Sequence, residues 1–111
     1  MKVYLIGSAG LFFSKPENLK EIVDLYVKAE HELTQKGYDV FNIMNMSLPR
    51  YRKEMLFYRI KQLLKADEVY ILPSWEQDTM AQIELVTAVN AGIKFTCAKG
   101  VHIPNRILFF I

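Results

Sequence analysis

Four short apolar runs, at residues 3–6, 38–43, 68–73 and 93–98, are separated by three longer segments whose apolar residues recur at helical spacing. A fifth apolar run closes the chain at 106–111. Strands alternating with helices favour a parallel sheet, because a right-handed crossover returns each strand beside its neighbour and lays the connecting helix on a sheet face. Boundary residues sharpen the pattern. Ser14, Pro16 and Glu17 read as a capping box opening a helix that runs to about Lys36 and stops at Gly37. The second helix is expected from Tyr51 to about Lys65. The third is expected from Thr79 to Ala91, with Gly92 as its stop. Val3 to Ile6 is apolar throughout, as befits a central strand covered on both faces. The expected architecture is a three-layer α/β domain, a Rossmann-like parallel sheet of four to five strands with helices on both faces.

At 111 residues the chain is the size of one domain, 1–111, and long enough to bury a core. With 51% hydrophobic and 23% charged residues and no low-complexity tract, an ordered globular chain is expected. Cys97 is the only cysteine, so no disulfide framework or cysteine-based metal site is available. The first apolar run is shorter than a secretory core or a membrane span, and a cytoplasmic protein without membrane contact is expected. A net charge of +2 is too small for the whole surface to act as a polyanion binder.

In such sheets ligands sit beyond the carboxyl ends of the strands. That draws together the loop at Gly7 to Phe13, the loop at Pro73 to Asp78 and the first turns of the third helix. From Thr79 to Ile93 the only charged side chain is Glu84. A carboxylate near a helix N-terminus is stabilised by exposed amides, and a poorly solvated one is a competent nucleophile toward an electrophilic carbon. The simpler alternative is a glutamate on the helix's outer stripe. The remaining candidates carry less. His31 lies among charged residues, His102 pairs with nothing, and the GSAG turn lacks the lysine and hydroxyl of a phosphate loop.

The segments KVYLIGSAG, LLKADEVYILPSWEQD and IELVTAVNAGIKF together resemble the nucleoside 2-deoxyribosyltransferase superfamily, in particular its short phage- and prophage-associated branch of uncharacterised proteins. The resemblance covers most of the chain. It implies a flavodoxin-like fold and cleavage of an N-glycosidic bond, or 2-deoxyribosyl transfer, on a deoxynucleoside or its monophosphate, without a cofactor or metal. By the same resemblance Glu84 is the nucleophile, Tyr4 orients it and Asp78 assists departure of the base. Gly7, Ser8, Trp75 and Glu76 are then expected to contact substrate, with Trp75 stacking on the base.

The chain departs from that pattern at three positions. Arg59 stands where the family carries an aspartate, and Met80 and Ser74 replace glycines. These departures favour an alternative, a non-catalytic module that keeps the pocket and binds or sequesters a nucleotide. A structural oligomerisation domain is the second alternative. The second helix region carries Arg50, Arg52, Lys53, Arg59, Lys61 and Lys65 against Glu54 alone, so Arg59 is a candidate for a 5′-phosphate, its forked donors matching that group. Nucleic acid is not the expected partner, since no base-reading groups accompany the charge. A homo-oligomer, a dimer or higher, is expected, because family members complete their pockets across subunits and the terminal ILFFI is strongly apolar.

Overall fold

The computed structural model describes residues 1–8, 17, 19–45 and 52–104. The expected cap at Ser14 and Pro16, most of the loop after the first strand, and the terminal strand at 106–111 lie outside the described residues. The elements run β1 (Lys2–Ile6), α1 (Leu19–Gln35), β2 (Asp39–Phe41), α2 (Arg52–Leu64), β3 (Glu68–Ile71), α3 (Thr79–Asn90) and β4 (Lys94–Cys97). Single 3₁₀ turns occur at Ile43–Asn45 and Trp75–Gln77. The strands form one parallel sheet in the order β2-β1-β3-β4. This is the expected three-layer, flavodoxin-like α/β fold.

Side-chain alternation along β1 sorts the core. Val3 and Leu5 pack on α1 through Ile22, Tyr26, Ala29 and Leu33. Tyr4 and Ile6 point to the other face, where they meet Leu63 of α2 and Ala81, Leu85 and Ala88 of α3. The two-residue period of a strand therefore puts Tyr4 on the side of α2 and α3 and nowhere else. Register completes the placement, with Tyr4 opposite Val69 of β3 on one side and Phe41 of β2 on the other. Helices α1 and α3 both end near a glycine in the left-handed region, Gly37 at φ 91° and Gly92 at φ 75°, as the sequence led one to expect.

Strand order reverses between β1 and β3, so their carboxyl ends open the crevice in which ligands bind to folds of this kind. Gly7 and Ser8 leave β1 there, and the segment from Leu72 to Asp78 leaves β3 beside them. Gly7 has a steric reason to be glycine, since a Cβ there would come within 3.0 Å of the Tyr26 hydroxyl and 3.1 Å of Leu72. Among the described residues no helix is long and apolar enough to cross a membrane.

Candidate active site

Glu84 is completely buried, and its environment is polar by design of the neighbouring elements. It projects from α3 one turn below Met80, toward the face of β1 that carries Tyr4. The Tyr4 hydroxyl donates to Glu84 Oε2, and Arg59 Nη2 from α2 donates to Glu84 Oε1. Arg59 Nε also donates to the Tyr4 hydroxyl oxygen at 3.4 Å, and its Nη1 reaches Met80 Sδ at 3.6 Å. One carboxylate, one guanidinium and one phenol thus satisfy one another where a lone charge would be prohibitively costly.

Each partner is positioned by ordinary packing. The Tyr4 ring stacks on Phe41, with centroids 5.3 Å apart and planes 7° from parallel, and Phe41 in turn meets Tyr58 of α2 at 6.3 Å. That stack fixes the direction of the hydroxyl. Arg59 sits four residues after Met55 and four before Leu63, on the buried stripe of α2, and is 1% exposed. The stripe itself was the signal: a cation at the central position of an apolar i, i+4, i+8 series must find an anion inside.

Burial raises the Glu84 carboxyl to about 7, against the opposing pull of the Arg59 cation and the Tyr4 hydrogen bond. Burial is the largest influence on Arg59 and opposes its charge, but Glu84 and Tyr4 together outweigh it and the guanidinium stays protonated. The Tyr4 hydroxyl is raised well above its ordinary value, first by burial and then by the adjacent Glu84 carboxylate, so it remains a donor. A carboxyl group that changes charge near neutrality, with a fixed donor on each oxygen, is suited to nucleophilic or proton-transfer chemistry.

Asp78 is the N-cap of α3, in extended conformation at φ −118° and ψ 117°, and accepts the Met80 amide at 2.9 Å. It is buried, six residues before Glu84. Asp78→Ala is expected to cost about 1 kcal/mol of stability, whereas Asp78→Asn keeps the cap acceptor and should be near neutral, as chemical denaturation of the two variants would show.

The other expected contact residues divide. Ser8 is buried at the end of β1, while Gly7 serves the packing of Tyr26 and Leu72. Trp75 is 2% exposed and belongs to the same core cluster as Tyr4. Trp75 and exposed Glu76 also line a cavity of about 320 Å³ between the loop after β3 and the loop after β4. Glu84 does not line that cavity, and Arg59 faces Glu84 rather than the surface. On the far wall, Lys99 was not singled out by the sequence and His102 was only a weak candidate there, because nothing local ties them to β3. Among the described residues no cluster of histidine, cysteine and acidic side chains could hold a metal ion.

A family described as a domain of unknown function, DUF4406, matches residues 1–97, which include Tyr4, Arg59, Asp78 and Glu84. No curated protein and no solved structure matches the chain.

Proposed function

The chain belongs to the DUF4406 family, and we propose that it cleaves the N-glycosidic bond of a deoxynucleoside or deoxynucleoside monophosphate with Glu84 as nucleophile, as a member of the deoxyribosyltransferase superfamily and its phage-associated branch. The observation that carries this reading is the buried Glu84 carboxyl held between Tyr4 of β1 and Arg59 of α2 and raised to about 7. In the proposed step a Glu84 oxygen bonds to the anomeric carbon while the bond to the base breaks. The bonding pair leaves with the base, and Asp78 assists delivery of the proton that the departing nitrogen takes up. Water, or a second base, then displaces the sugar from Glu84, giving hydrolysis or transfer. Asp78→Asn should slow the first step most for poor leaving bases, a trend that a series of substituted bases would reveal.

A second reading, the non-catalytic nucleotide-binding module, is favoured by one observation: Glu84 has no exposed surface, and Met80 lies against its partner Arg59. Catalysis requires the packing over Glu84 to open so that a sugar can reach the carboxylate. Incubation with a panel of deoxynucleosides and their monophosphates, with free base followed by chromatography and binding by calorimetry, separates the two. Base release supports cleavage, binding without release supports the module, and neither overturns both.

The same reading takes the protein to be a cytoplasmic homo-oligomer. Phe57 and Leu64, 72% and 54% exposed and seven residues apart on α2, support an apolar contact there. Light scattering that finds only a monomer at micromolar concentration would count against it.

A further inference from the structure

We infer that the cavity between the loops after β3 and β4 is a phosphate-binding subsite, with Lys99 and His102 as its donors, so that the ligand is a nucleoside 5′-monophosphate rather than the bare nucleoside. This rests on the proposed function for the nucleoside part only.

The cavity's volume of about 320 Å³ falls within the range of small-molecule sites. Its walls are chemically unlike. From the β3 side come Ser74, Trp75 and Glu76; from the β4 side come Lys99 and His102. One carboxylate and two nitrogen donors suit a ligand that has N–H or O–H groups for Glu76 to accept and an anionic end for Lys99 and His102. A nucleoside monophosphate has both. An uncharged nucleoside leaves the β4 wall unused.

Both walls are held in shape without a ligand. Ser74 adopts φ 67°, a left-handed conformation that is unfavourable for a side-chain-bearing residue and that aims the turn into Trp75. The Glu76 carbonyl accepts from Gln82 Nε2 of α3 at 2.6 Å, and Trp75 is anchored in the core. On the other wall Gly100 at φ 83° forms a turn closed by the Val101 amide donating to the Ala98 carbonyl at 3.0 Å. Lys99 lies within that turn and His102 just after it, and both are exposed, free to reach an incoming anion. Both lie beyond residue 97, where the family match ends.

Trp75 is the only tryptophan and lines the cavity, so its emission reports occupancy directly. Titrations with a deoxynucleoside 5′-monophosphate, the matching nucleoside and inorganic phosphate are the test. The monophosphate should perturb the emission at a concentration about tenfold or more below that of the nucleoside, consistent with one charge-assisted contact, and inorganic phosphate should compete with it. Lys99→Ala and His102→Ala, both at exposed positions, should each erase most of that preference. Equal affinity for nucleoside and monophosphate, or variants that bind like the parent, would overturn the inference. Base release measured on the same samples keeps the questions apart. Selective binding of monophosphate without release sinks cleavage and leaves the subsite standing, whereas release without phosphate preference sinks the subsite alone.

Discussion

Glu84→Gln is expected to reduce base release by several powers of ten while ligand binding largely survives, because glutamine keeps the shape and the acceptor of the side chain but cannot form the sugar ester. Its effect on stability combines two opposed changes, because it removes a carboxylate that burial disfavours and leaves the buried Arg59 guanidinium without its counter-charge. Burial raises the Glu84 carboxyl from 4.5 to about 7 in the folded chain. The stability contributed by the neutral form is therefore fully present below pH 4.5 and is lost as pH rises through about 7. Glutamine mimics the neutral form at every pH. The variant's melting temperature should match the parent's near pH 5 and stay close to it at pH 8, where relief of the buried carboxylate is offset by the Arg59 guanidinium left without its counter-charge. A variant clearly destabilised at pH 8, from a parent that releases no base, would mean that the Glu84–Arg59 pair serves stability rather than catalysis.

Arg59→Met should be the most destabilising single change in the site. It retains the volume and apolar stem on the buried stripe of α2 but leaves the Glu84 carboxylate without its counter-charge in the core. At pH 8 the expected cost is about 3 to 5 kcal/mol. Without the cation the carboxyl is raised further by burial, so the loss should shrink on acidification as Glu84 takes up a proton. Urea unfolding at pH 5 and pH 8 reads this directly. Combining Arg59→Met with Glu84→Gln should recover much of the loss at pH 8, because no unpaired charge then remains. A double variant no better than Arg59→Met would show that the guanidinium matters for packing rather than for charge.

The sheet was legible because its signal is local. Apolar runs such as Val3 to Ile6 and Val69 to Ile71 can be buried on both faces only in a covered parallel sheet, and the observed strands match them to within one residue. Glu84 was legible as a lone charge in an apolar helix. Its partners were harder to see. Arg59 was one of several cations in a basic helix, and only its place between Met55 and Leu63 distinguishes it. The Tyr4 stack on Phe41 depends on strand register, which runs of hydrophobic residues do not specify across 37 positions of sequence. Ser74 gave no sign of its left-handed backbone, since glycine or asparagine is the usual marker of that conformation.

The polar triad also bears on how the chain acquires its structure. Tyr4 and Glu84 are 80 residues apart in sequence, and Tyr4 and Arg59 are 55 apart. Contacts of such span form late, after the entropy of closing long loops has been overcome, and they slow folding relative to local ones. A nascent chain that has not yet emitted α3 holds Tyr4 and Arg59 with no carboxylate to receive them, so β1 and α2 cannot settle together without leaving a buried cation unmatched. Collapse of fragments that lack α3 is therefore expected to be disfavoured.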